Sequence, residues 1–167
     1  MAYTFTPMNE EDARAIFSWE YEGQYAVYNL QGDLASDDEL LDRRSPHYAV
    51  RNEQGELVGF FGFGSAASVE EHDTPYLFSK DGTVLVGLSL RPDLVGKGLG
   101  VGFVKAGLEF AYREYVPRRF GLFVLSWNAR AIRLYEKVGF RQVRTFLQKN
   151  VHGENEFIEM VMDVEAV

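Results

Sequence analysis

The apolar run Val84 to Leu90 enters the loop Arg91-Pro92-Asp93-Leu94-Val95-Gly96-Lys97-Gly98-Leu99-Gly100. A helical pattern leaves it, with Leu99, Phe103, Ala106 and Phe110 at spacings of four, three and four. The reading is strand, glycine-rich turn, helix. Glycines at 96, 98 and 100 strip the loop of β-carbons. Successive backbone N–H groups can then converge on one anion near the positive end of the helix dipole. The alternative is a flexible turn whose glycines only let the helix approach the strand.

Two common glycine loops do not fit. The nucleotide-triphosphate loop requires Gly-Lys followed by Ser or Thr, and Gly98 follows Lys97 instead. The dinucleotide fingerprint requires Gly-x-Gly-x-x-Gly, whereas the spacing here is Gly-x-Gly-x-Gly.

Further on the chain reads Ser126-Trp127-Asn128-Ala129-Arg130-Ala131-Ile132-Arg133-Leu134-Tyr135-Glu136-Lys137-Val138-Gly139-Phe140. Joined to the glycine loop, this resembles the GNAT superfamily of acetyl-CoA-dependent N-acetyltransferases. The family loop, Arg/Gln-x-x-Gly-x-Gly/Ala, aligns with Val95 to Gly100, and the family's Asn, helical Tyr and Gly-Phe align with Asn128, Tyr135 and Gly139-Phe140. The match covers residues 83 to 163, and the N-terminal half fits by general layout. Val95 departs from the pattern, standing where the family has Arg or Gln, with Lys97 as a nearby replacement cation.

The 167 residues suffice for one domain with a real core, so residues 1–167 are expected to form a single unit. No apolar run approaches the ~20 residues of a membrane span, and the first residues lack the pattern of a signal peptide, so no membrane partner and a cytoplasmic location are expected. The absence of cysteine excludes disulfides, Cys-based zinc sites and a Cys acyl-enzyme. The three histidines, His47, His72 and His152, are scattered, and nothing points to a metal. Net charge is −8, unevenly spread: residues 1–82 sum to −11, residues 83–149 to +8 and residues 150–167 to −5. The positive segment holds the glycine loop, the sign a polyanionic coenzyme A requires. The acidic remainder suits a cationic amine acceptor, or serves solubility alone. The basic segment is short and lacks a recognition motif, so no nucleic acid is expected.

In chain order, Tyr3 to Thr6 alternates as a first strand, and Asn9 caps a helix with acids in its first turn. Trp19-Glu20-Tyr21-Glu22-Gly23-Gln24-Tyr25-Ala26-Val27-Tyr28 packs four aromatics and two acids around one glycine. The resemblance makes this segment a wall of the acceptor site, with Trp19, Glu20, Tyr21, Glu22 and Tyr25 as substrate contacts. The alternative is that its aromatics cover the core edge. Ser36 to Arg44 reads as a short surface helix, Ser36 its N-cap and Glu39 completing a capping box. Tyr48 to Arg51 and Leu57 to Phe63 form a hairpin, and Gly64 to Asp81 reads as a polar loop or lid. Thr83 to Leu90 is a strand buried on both faces, followed by a helix from Gly98 to Tyr115 and the strand Phe120 to Ser126. Asn128 caps the next helix, Gly139 ends it, and a hairpin from Phe140 to Val164 closes the chain. The expected fold is α/β: a mixed, mostly antiparallel sheet of seven strands with three or four helices and, by the resemblance, splayed central strands.

The resemblance also implies roles. Val95, Gly96, Lys97, Gly98, Leu99, Gly100 and Val101 would hold the pyrophosphate of acetyl-CoA. Leu88 and Leu90 would offer backbone groups to its pantetheine and thioester, with Asn128 as a further contact. Tyr135 would be the general acid, since a phenol near pKa 10 can return a proton to a thiol of about 8.5. No acid or histidine lies in Thr83 to Leu90, so the general base stays open among Glu20, Glu22, Glu70, Glu71 and His72. The acceptor would be a small amine or a peptide N-terminus, and the protein a monomer or homodimer. A longer acyl donor, or a coenzyme A sensor that has lost catalysis, are the competing readings.

Overall fold

A computed structural model describes residues 2–30, 37–70, 72, 74–150 and 153–164. The helix expected near the N-terminus is α1, Glu10–Phe17, and Asn9 caps it by accepting from the Asp12 N–H at 2.8 Å. Asp12, 4 % exposed, receives both Arg51 nitrogens at 2.8 and 3.0 Å, which ties α1 to the sheet. The strands are β1 (Thr4–Pro7), β2 (His47–Arg51), β3 (Leu57–Phe63), β4 (Thr83–Leu90), β5 (Arg119–Leu125), β6 (Arg141–Asn150) and β7 (Gly153–Asp163). Two longer helices follow the central strands: α2, Gly100–Tyr115, and α3, Ala129–Val138. The sheet order is β1-β2-β3-β4-β5-β7-β6, antiparallel except for β4 beside β5.

That one parallel pairing fixes the rest of the architecture. It consists of Thr83↔Arg119, Val84↔Phe120 and Leu85↔Gly121 and then stops, although β4 runs on to Leu90 and β5 to Leu125. The two strands therefore part toward their C-terminal ends. One face of the sheet packs on α2 through Phe61, Phe63, Phe103 and Phe120. The other carries a smaller cluster of Ala13, Ile16, Leu40 and Phe60 under α1.

Two elements differ from the sequence expectation by more than one residue at a boundary. The helix after the glycine loop begins at Gly100 rather than Gly98, because Gly98 takes φ +79° and cannot propagate a right-handed helix. The expected Ser36–Arg44 surface helix is a 3-10 turn, Asp37–Leu41, with Ser36 outside the described residues. It ends early because the Asp42 carboxylate takes the Arg44 N–H at 2.9 Å and its guanidinium as well. The turn is no surface element either, since Leu40 is 2 % exposed against Ile16 and Phe60.

Candidate active site

The glycine loop leaves β4 through a 3-10 turn, Pro92–Leu94, and reaches α2 with Gly96 at φ +78° and Gly98 at φ +79°. Only glycine adopts this region without penalty, so the loop's course depends on both. A β-carbon on Gly98 would meet nothing within 4 Å, so the loop stands open there. Leu99, the N-cap of α2, makes no side-chain capping bond, and the N–H groups of the first turn at Gly100 and Val101 keep their donors free of a cap. Lys97 is exposed, while Val95 and Leu99 are half-buried. Such a loop fits a phosphate-bearing ligand through its backbone, which Val95 does not disturb.

Beside it lies the open edge of β4. The Arg91 N–H donates to Val58 and the Gly64 N–H to the Leu85 carbonyl, so odd-numbered residues of β4 bond to β3. Leu88 and Leu90 therefore turn their N–H and carbonyl groups toward β5, beyond the last pair of that ladder. The Leu90 carbonyl accepts from the Tyr21 hydroxyl at 2.6 Å.

The far side of the gap is the start of α3. Asn128, 6 % exposed, caps the helix by accepting from the Ala131 N–H at 3.2 Å and donates through Nδ2 to the Tyr28 hydroxyl at 2.9 Å. Tyr25 stacks edge-on against Trp127 at 5.5 Å and carries the Arg130 guanidinium 4.4 Å above its ring. A β-carbon on Gly96 would lie 3.7 Å from Arg130 Nη1, which places that cation beside the glycine loop. The segment from Tyr21 to Tyr28, largely a 3-10 turn, thus reaches from the end of β4 to the start of α3 and bridges the mouth of the gap.

Tyr135 is half-buried on α3, edge-on to Phe140 at 6.0 Å, and its hydroxyl makes no hydrogen bond among the described residues. Burial, and secondarily the neighbouring Tyr28 phenol, push its pKa above the usual tyrosine value. Tyr28 is raised by burial too, with the Asn128 hydrogen bond opposing. Tyr21 is pushed up to about 12, mainly by burial.

A cavity of about 440 Å³ opens on the α1 side of the sheet. The register places His47, Gly62 and Gly87 in one row across β2, β3 and β4, and all three line it. A β-carbon on Gly62 would come within 2.7 Å of the His47 ring, so glycine is what lets the imidazole lie over the strand. Burial lowers the His47 pKa to about 4, with a backbone hydrogen bond to Ser45 opposing, and its Nδ1 is sealed from solvent. Leu88 borders this cavity as well as the gap.

The structure thus gathers the loop from Val95 to Val101, Leu88, Leu90, Tyr21, Tyr25, Asn128 and Tyr135 around one gap. Trp19 instead packs on Phe60 at 6.4 Å, within the α1-side core, and Glu20 and Glu22 are exposed. Of the other base candidates, Glu70 is paired with Arg144, His72 lines the cavity, and Glu71 lies outside the described residues. Sequence reasoning missed Arg130, Tyr28 as the partner of Asn128, and His47. Arg130, two residues after Asn128 in the motif, could have been found. His47 could not, since only strand register brings it to Gly62.

Among the described residues no helix is long and apolar enough to cross a membrane. A mycothiol acetyltransferase of Amycolatopsis mediterranei (strain U-32) is 31% identical over 157 residues, covering 87% of this chain and 47% of its own length. The chain thus spans about half of that curated relative. Among solved structures, a spermidine N-acetyltransferase chimera from Vibrio cholerae and hSSAT superposes with TM-score 0.76 at 17% identity, covering 98% of this chain and 96% of that one. An aminoglycoside acetyltransferase solved with coenzyme A superposes with TM-score 0.70 at 22% identity, covering 99% and 96%. At these identities the structures establish the fold. The acetyltransferase (GNAT) family model matches residues 8–140, and with the fold and the sequence relative in agreement, the chain belongs to the GNAT acetyltransferase family.

Proposed function

We propose that residues 1–167 form one N-acetyltransferase unit that moves an acetyl group from acetyl-CoA to a primary amine by direct attack, with both substrates bound together. The observation that carries this reading is the adjacency of the left-handed Gly96–Gly98 loop, the uncapped start of α2 and the unpaired edge of β4. Acetyl-CoA, when bound, supplies the acetyl carbon as an activated thioester. The backbone from Val95 to Val101 holds its phosphates, with Lys97 and Arg130 adding charge at the loop. The Leu88 and Leu90 edge orients the pantetheine arm, and an N–H there faces the oxygen on which negative charge develops. Tyr135 is positioned as the general acid. A phenol is protonated through neutral pH and can donate to the departing sulfur; burial, which holds Tyr135 above the usual tyrosine value, makes that donation dependent on close approach of the sulfur. Without cysteine there is no thiol to carry the acetyl group, in keeping with direct attack.

A coenzyme A sensor is the second reading, favoured by Val95 and by a β4 that carries neither acid nor histidine. Thermal unfolding with acetyl-CoA at ~100 times its Kd should show a stabilisation of about 2.7 kcal/mol. Tyr135→Phe should then lower turnover on the amines it accepts by roughly 100-fold while leaving acetyl-CoA affinity unchanged. Binding with unchanged turnover in that variant removes Tyr135 from the mechanism; binding without turnover in the parent protein favours the sensor.

A further inference from the structure

We propose that Tyr25 is a positioning residue of the donor site: its ring is the platform that holds the Arg130 guanidinium beside the glycine loop, where Arg130 pairs with the pyrophosphate of acetyl-CoA. The assignment rests on the transfer reading above. It gives Tyr25 a different partner from the acceptor contact expected of it.

The geometry is the first support. The Arg130 guanidinium carbon lies 4.4 Å from the centroid of the Tyr25 ring. Its Nη1 lies 3.7 Å from where a β-carbon on Gly96 would stand. One side chain thus reaches from the aromatic segment to the loop. A guanidinium stacked by its face keeps its edge N–H groups available, and that edge matches two oxygens of a phosphate. Among the described residues no carboxylate takes that edge, and the ring is the contact Arg130 makes.

The platform is itself braced. Tyr25 stands edge-on to Trp127, with ring centroids 5.5 Å apart, and Tyr28 lies 6.4 Å from the same indole. The Tyr28 hydroxyl accepts from Asn128 Nδ2 at 2.9 Å, and Asn128 is the N-cap of α3. The turn that carries Tyr25 and the helix that carries Arg130 are therefore fastened to each other. An exposed arginine otherwise spreads over many rotamers, and ordering it on binding costs affinity. The ring sets its direction in advance.

The local sequence of α3 agrees. Arg130 is exposed in the first turn of that helix, a turn that contains no acid. The helix dipole disfavours a cation there, so Arg130 does not serve the helix. Dipole and guanidinium together favour an anion at this point, and the left-handed loop at Gly96 lies beside it. Val95 brings no cation to the loop, and Arg130 supplies one from α3.

Calorimetric titration with acetyl-CoA tests the assignment. Arg130→Gln should weaken binding roughly tenfold, the scale of one lost charge-assisted hydrogen bond. Tyr25→Leu removes the platform and should weaken binding roughly threefold, the scale of an exposed cation–π contact. The double variant should bind no more weakly than Arg130→Gln alone, because the ring acts through the guanidinium. Tyr25→Phe keeps the ring and should recover most of the affinity. With 3′-dephospho-CoA as the probe, Arg130→Gln should cost the same factor, because the partner is the pyrophosphate. Parental affinity in Tyr25→Leu, losses that multiply in the double variant, a Tyr25→Phe as weak as Tyr25→Leu, or a loss that vanishes with 3′-dephospho-CoA each overturns the proposal. Failure of acetyl-CoA to bind the parent protein would instead overturn the transfer reading.

Discussion

The Tyr21 hydroxyl donates to the Leu90 carbonyl oxygen at 2.6 Å, across 69 positions of sequence. This bond occupies a backbone acceptor on the part of β4 that has left its parallel partner. A hydrogen-bond donor that pairs with the same carbonyl competes with Tyr21 for it. Tyr21→Phe should therefore lose about 1 kcal/mol of stability, read as a fall of roughly 2–4 °C in Tm, while acetyl-CoA binds several-fold more tightly. Weaker binding measured by calorimetry would make Tyr21 a ligand contact rather than a competitor.

Lys97 sits exposed between two left-handed glycines, where its charge faces solvent and any anion held by the loop. Lys97→Glu should weaken acetyl-CoA binding by roughly tenfold at low salt, and by less at physiological ionic strength, where the Debye length is about 8 Å. An affinity and salt dependence equal to those of the parent protein would remove the loop as the phosphate site.

His47 gives the fold a defined acid sensitivity. Its pKa is lowered to about 4 by burial, against an ordinary value near 6.5. Between those values the unfolded chain binds the proton and the folded chain does not, so folding stability falls as pH drops from about 6.5 toward 4. The full contribution, present above 6.5, is about 3 kcal/mol by linkage. Asp42, which favours the charged ring, is held by Arg44; Glu39 and His72 share the cavity. Urea unfolding at pH 7 and pH 4.5 should show a smaller loss for His47→Gln than for the parent protein. Equal losses would mean that the ring titrates normally.

Val116 ends α2 at φ 47°, ψ 55°, a left-handed conformation that a β-branched residue adopts at a cost. It is 67% exposed, so little packing compensates. Val116→Gly should stabilise the protein by about 1 kcal/mol, visible as a higher Tm with acetyl-CoA affinity unchanged. A lower Tm would show that the apolar contacts of Val116 outweigh its strain.

Local chemistry made much of this legible. Asn9 and Asn128 cap their helices because the short amide side chain suits that position, and Gly96 and Gly98 turn left-handed because the loop needs residues without β-carbons. The resemblance to an acetyltransferase family placed Asn128 and Tyr135 on the same helix, and the family match bears out that membership. What the sequence hid depends on partners far along the chain. Asp42 capturing Arg44 cut short an expected helix, and Leu40 proved buried because Phe60 and Ile16 close over it. The seat of His47 over Gly62 follows from strand register, and the bond from Tyr21 to Leu90 from a loop meeting a strand 69 positions away; no local pattern encodes either.

The parallel seam between β4 and β5 is three register pairs long, and it is the sheet's whole connection between β1–β4 on one side and β5–β7 on the other. The sheet is thus two wings on a short spine, each wing laced by long antiparallel ladders. A ligand threaded along the free edge of β4 would lengthen that spine, acting as a temporary eighth strand that braces one wing against the other. Catalysis would then coincide with the moment when the sheet is mechanically most complete, and product release with its return to a looser pair of halves.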